Sequence, residues 1–199
     1  MPERLSRCSQ KFLTFRAPTH VTVTAAFVLC AVCMATSVAA DPSSAGLLGA
    51  AFSAVAIAIA VIDARLFVIP DELTILALVL GLANVFVQPP DWMVPTLATA
   101  ASRGAALAAM FWLLRIAYRS VRLRDGIGLG DVKLAGVAGV WLDWNLIPIA
   151  IEVAAGSALI ACGIAALLRR DSIQAITRLP FGLFFAPAIW VTWLIWKVW

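Results

Sequence analysis

The chain has 199 residues, of which 63% are hydrophobic and only 13% charged, and this leaves too little polar surface to coat a soluble globule. A formal net charge of +4 invites a nucleic-acid partner, but the basic residues stand at the ends of apolar runs, as in loops that face the cytoplasm, and do not gather on one polar face. The expected solvent is therefore the lipid bilayer, the expected class an all-α polytopic membrane bundle, and nucleic acid is not an expected partner.

In chain order, Met1 to Pro18 is a basic leader with Arg4, Arg7, Lys11 and Arg16. The apolar run from His20 to Ala40 has about the 20 residues that a bilayer core requires, and it closes at Asp41-Pro42-Ser43-Ser44. Ser37-Val38-Ala39 also fits a signal-peptidase site, so the first helix is either a retained span or a cleaved signal. Residues 1–44 form the leader and first helix, and residues 45–199 the remaining membrane domain.

Segment two runs from Ala45 to Ile62 and ends at Asp63-Ala64-Arg65. Segment three starts after Ile69-Pro70 and reaches Gln88; proline suits the first helical turn, and Asp71 and Glu72 suit the positive end of the dipole. Pro89-Pro90 breaks the chain before segment four, Pro95 to Tyr118, which is interrupted by Arg103. A glycine run, Gly126-Ile127-Gly128-Leu129-Gly130-Asp131, opens a short fifth segment from Val132 to Leu142. Leu146 to Leu168 and Pro180 to Trp196 complete seven expected transmembrane helices, or six if the first is cleaved.

Lysine and arginine fall almost wholly in alternate loops, with Arg103 inside a helix and Lys197 on the other side. That asymmetry predicts a cytoplasmic amino terminus. It also puts Asp63 and Asp131 at one depth on the cytoplasmic side, and Asp41, Asp91 and Asp143 on the opposite face. Arg103 and Glu152 lie within helices, each roughly 10 Å below the outer surface at about 1.5 Å per residue, and are expected to pair, because a lone charge there is costly. Ala98, Ala101, Gly104, Ala105 and Ala108 on segment four, and Gly136 and Gly139 on segment five, permit close helix packing. Trp92, Trp141, Trp144, Trp193, Trp196 and Trp199 read as an interfacial belt.

A single aspartate at a helix end is ordinarily a solvated boundary residue. Two at one level are different, because carboxylates brought together in a partly dry site cannot both ionise. One keeps its proton while the other acts as a base on water, which is the chemistry of aspartic proteases. The glycines beside Asp131 remove side chains that would hold another backbone at a distance.

Gly128-Leu129-Gly130-Asp131, followed by Val132-Lys133-Leu134, resembles the GxGD motif of the type IV prepilin peptidases. Ile62-Asp63 with Ile69-Pro70-Asp71 and Leu73-Thr74 resembles their first motif, and Leu179-Pro180-Phe181-Gly182 a proline-glycine element near their carboxyl end. The resemblance implies that Asp63 and Asp131 are the catalytic pair, that Gly128, Gly130, Lys133, Pro70, Pro180 and Gly182 belong to the substrate-approach motifs, and that no cofactor or metal is used. It implies an endopeptidase of the bacterial inner membrane that cuts the basic leader from prepilins at the cytoplasmic face, with other pilus-assembly proteins as further partners. Asp71 competes with Asp63 for the first position; motif position favours Asp63, and Asp71 reads as a helix-start residue. Asp131, at a helix start, is expected to act as base and Asp63 as acid, the two sharing one proton.

The bifunctional members of that family carry two Cys-x-x-Cys pairs and a methyltransferase activity. Here only Cys30 and Cys33 have that spacing, within an apolar helix, so neither zinc nor methylation is expected. The compact form resembles the peptidases of Flp or tight-adherence pilus systems. A proton-coupled transporter, kept open by Arg103 and Glu152, and an inactive pilus-assembly protein are the alternatives.

Overall fold

A computed structural model describes residues 19–87, 90–122, 127–169 and 180–199. The basic leader, Gly126, Arg124 and the polar loop at 170–179 lie outside the described residues, as does the side chain of Trp92. All regular structure among the described residues is helical: α1 Thr19–Ala40, α2 Ser44–Leu66, α3 Asp71–Phe86, α4 Pro90–Arg122, α5 Leu129–Trp141, α6 Leu146–Arg169 and α7 Phe181–Val198. Within these, Ser44–Leu66, Thr96–Val121, Leu146–Ile164 and Phe181–Val198 are long and apolar enough to cross a bilayer, with a shorter apolar helix at Thr24–Ala40. The chain is a multi-pass membrane protein.

Three helix boundaries differ from the sequence reading in ways that matter. α2 continues to Leu66, so Asp63 lies within its last turn. α4 begins at Pro90, where the ring's fixed φ and missing N–H suit a first helical position. α5 begins at Leu129 with Gly128 as its N-cap, which makes the glycine run part of the helix start. α5 has 13 residues, or roughly 20 Å, and runs through the inside of the bundle from the Asp131 end towards the other. It is a core element, with Val132, Leu134, Ala135, Val137 and Ala138 all buried.

The centre of the bundle is aromatic. Phe52 of α2 stacks on Trp141 of α5 with ring centroids 4.4 Å apart, and Trp193 of α7 meets Trp141 edge-on at 5.8 Å. The Trp141 indole N–H donates to the Ala77 carbonyl at 2.9 Å, and a Cβ at Gly81 would stand 2.8 Å from that nitrogen. Trp141 and Trp193 are thus 6% and 3% exposed, so they belong to the core; of the expected belt, Trp144, Trp196 and Trp199 are the exposed members among the described side chains. The small residues of α4 and α5 meet each other: a Cβ at Gly104 would stand 3.0 Å from the Gly136 carbonyl oxygen.

Arg103 does not pair with Glu152. Its guanidinium reaches Asp143 Oδ1 at 2.9 Å, and its Nε–H donates to the Gly139 carbonyl at 3.2 Å. The physical reason is adjacency: α4 packs along α5, at whose far end the turn to α6 carries Asp143, and α6 packs on α7. Glu152 is left exposed on α6. At the same end of the bundle, Lys197 of α7 pairs with Asp41 at 2.9 Å. The buried Ser37 hydroxyl of α1 accepts the Trp190 indole N–H at 2.9 Å. The first helix, through Ser37, and the turn that follows it, through Asp41, are thus both fastened to α7.

Candidate active site

The opposite end of the bundle gathers the last turn of α2 with the starts of α3, α5 and α7. Asp63 is 5% exposed, and its Oδ2 accepts the backbone N–H of Leu183 at 3.0 Å. That amide belongs to the first turn of α7, where four N–H groups have no partner within the helix. Pro180 supplies no side-chain cap there, so a carboxylate from another helix takes the capping role. The start of α7 is held by stacked rings, with Phe181 5.0 Å from Phe185 and 6.4 Å from Phe111 of α4.

Asp131 occupies the third position of α5 and its Oδ2 accepts the N–H of Gly128 at 3.0 Å. This is the half of a capping box that an acid at that position supplies. Asp63 and Asp131 are brought to one place by Ile69, which packs against both Gly130, the neighbour of Asp131, and Gly182, whose added Cβ would meet Asp63 Oδ2 at 2.9 Å. Both carboxylates therefore stand at helix amino termini, Asp131 on its own and Asp63 on that of α7. The dipole alone no longer separates a base from an acid.

Beside the pair lies a residue that the sequence reading left out of the site. Ile69 is buried, and its side chain fills the space left by two glycines. A Cβ at Gly130 would stand 2.8 Å from Ile69 Cβ, and one at Gly182 would stand 2.7 Å from Ile69 Cδ1 and 2.9 Å from Asp63 Oδ2. No glycine among the described residues has a positive φ, so these two are there for room. The chain's own Ile69 uses it.

Lys133 and Asp71 also come together, with Nζ 2.6 Å from Oδ1. Both side chains are largely exposed, and the pair ties the start of α3 to the start of α5. Asp71, the rival for the first catalytic position, is thus occupied by a lysine, while Asp63 faces the site. Pro70 caps α3 and its carbonyl accepts both the N–H and the hydroxyl of Thr74.

A glycine-flanked pair of carboxyl groups at one end of a membrane bundle is the arrangement that a family comparison bears on. The model of the type IV leader peptidase family matches residues 50–168. The chain belongs to that family. A leader peptidase HopD of Salmonella typhimurium is 31% identical over 149 residues, covering 74% of this chain and 90% of its own length. The HopD of Escherichia coli is 34% identical over 128 residues, covering 63% and 78%. A prepilin leader peptidase/N-methyltransferase of Pseudomonas aeruginosa is 32% identical over 145 residues, 70% of this chain but 46% of its own. No solved structure matches. As in other leader peptidases, the chain's class of activity is proteolysis.

Leu183 escaped the sequence reading because its contribution is a backbone amide, which any residue type would supply. Ile69 had a readable signal: two glycines in separate motifs imply something bulky between them, and Ile69-Pro70 lies in the first motif.

Proposed function

We propose that this leader peptidase is a membrane aspartic endopeptidase in which Asp63 and Asp131 share one proton and activate a water between them. The observation that carries this is the convergence of Asp63, from the last turn of α2, and Asp131, from the first turn of α5, at one end of the bundle, with the α7 amide of Leu183 fixing Asp63. One carboxylate takes a proton from water as it attacks the scissile carbonyl, and the protonated partner donates to the carbonyl oxygen. Gly128, Gly130, Pro180 and Gly182 shape the surroundings, with Pro70 and Lys133 at the adjacent start of α3 and α5.

The substrates are prepilins, cut between a basic leader and an apolar helix, at the cytoplasmic face of a bacterial inner membrane. The distribution of lysine and arginine between alternate loops supports that orientation. Flp-type prepilins are the proposed substrates, and the Cys30–Cys33 spacing, which falls within apolar α1, supports cleavage without methylation by the residues described. Co-expression of the chain with candidate Flp-type prepilins, followed by mass measurement of the pilin, tests the reading. A pilin shortened by its leader is the expected result, and an unprocessed pilin in every pairing would refute it.

A further inference from the structure

The segment between α2 and α3 has the features of an open strand edge. α2 ends at Leu66, and Phe67 turns the chain with φ 54° and ψ 35°. Phe67 is the only non-glycine residue with a positive φ among the described residues, a conformation that costs about 1–2 kcal/mol. Its N–H bonds the Asp63 carbonyl at 2.9 Å, so the turn springs directly from the candidate catalytic residue. Val68, Ile69 and Pro70 follow outside any helix, with Pro70 extended at φ −64° and ψ 136°.

Extended backbone sends alternate side chains to opposite sides. Ile69 points inward and is locked against Gly130 and Gly182, whereas Val68 is 57% exposed. The main-chain N–H and C=O groups of Val68 and Ile69 make no hydrogen bond among the described residues. Such groups, on a segment outside any helix whose side chains alternate out and in, are a template for another chain.

We propose that the substrate polypeptide adds to residues 68–70 as an antiparallel strand, which lays its scissile bond across Asp63 and Asp131. This deepens the proposed endopeptidase function and rests on it. A peptide bond inside a helix has its carbonyl occupied by the i+4 amide, so cleavage requires the substrate to open locally, and the opened backbone groups at a membrane boundary need new partners. The strap supplies them beside the two carboxyl groups. Its ends set the direction. Exposed Leu66 and Phe67 border the α2 end, and exposed Glu72 stands beside Asp71 at the α3 end. The basic side of the cut matches Glu72 and the apolar side matches Leu66 and Phe67, so the substrate runs opposite to the strap.

Disulfide cross-linking tests this in a variant whose native cysteines are replaced by serine and which still shortens a co-expressed prepilin. Single cysteines are introduced by Leu66→Cys, Val68→Cys and Glu72→Cys, all at exposed positions, and paired with a cysteine scan across the prepilin cut site. Cross-links from Val68→Cys should recur at every second substrate position. Glu72→Cys should capture positions before the cut, and Leu66→Cys positions after it. A period of three to four, the reverse polarity, or no cross-link while the prepilin is still cut would overturn the strand and leave the peptidase reading intact. Loss of all cutting by the unmodified chain would remove both.

Discussion

Leu183 donates its backbone N–H to Asp63 Oδ2 at 3.0 Å, joining residues 120 positions apart in sequence. The bond fixes one carboxylate of the candidate pair by a group with no rotamers of its own, since the amide is part of a helix start that Phe181 and Phe185 hold by ring packing. Reactive geometry then depends on Gly182, the residue just before.

Gly182→Ala should test that dependence. The added methyl would stand 2.9 Å from Asp63 Oδ2 and 2.7 Å from Ile69 Cδ1, so the carboxylate must move by a few tenths of an ångström or more. Misplacement of a reacting group on the order of 1 Å costs about 100-fold. A prepilin-processing rate lowered at least about 10-fold, with normal membrane insertion, is expected; an unchanged rate would show that the space beside Asp63 is slack.

The Lys133–Asp71 pair calls for the opposite outcome. Its side chains are 47% and 62% exposed, and exposed pairs contribute about 0–1 kcal/mol. Asp71→Asn and Lys133→Met should each change processing by no more than about threefold in physiological salt. A complete loss in Asp71→Asn would move the first catalytic position from Asp63 to Asp71.

Arg103 is 8% exposed as a residue, held by Asp143 and the Gly139 carbonyl. Asp143→Asn removes its charged partner, and hydrogen bonds to charged groups contribute about 1.5–3 kcal/mol. The melting temperature of the detergent-solubilised protein should fall for Asp143→Asn and stay unchanged for Glu152→Gln. Equal falls would restore the pairing expected from sequence.

At the same end of the bundle, hydrogen bonding by Ser43 and the nearby ammonium of Lys197 lower the Asp41 carboxyl to about 2, against an ordinary value of about 3.9. A depressed value in the folded state means that the stabilisation is full above about pH 4 and lost as pH falls through about 2. Asp41→Asn should therefore lower stability by about 1 kcal/mol at pH 7, with the difference closing towards pH 2. Because Ser37 fastens α1 to α7 through the Trp190 indole, the purified protein should also retain Thr19–Ala40. A chain starting after Ala39 would contradict this.

The sequence made much of this legible because membrane insertion constrains it so strongly. Apolar run lengths match the seven helices among the described residues, and Asp63 and Asp131 fall at helix ends that gather at one end of the bundle. What stayed hidden involves contacts between distant segments. Periodicity and charge place Arg103 at a depth, but only the packing of α4 on α5 selects Asp143 over Glu152. Tryptophan is ambiguous for the same reason: Trp141 stands at a helix end yet turns inward, since Gly81 and the Ala77 carbonyl receive its ring. The glycines signalled room without saying that Ile69 would occupy it.

The central claim is that Asp63 and Asp131 together carry the chemistry, and replacing each carboxyl by its amide isosteres it while removing proton exchange. The decisive measurement is the mass of a prepilin co-expressed with the wild-type chain, Asp63→Asn or Asp131→Asn, with membrane insertion of each variant verified. Positioned acid–base groups contribute about 10²–10⁴-fold, so each substitution should leave the pilin at its unprocessed mass while the wild type shortens it. Normal shortening by either variant would contradict the account.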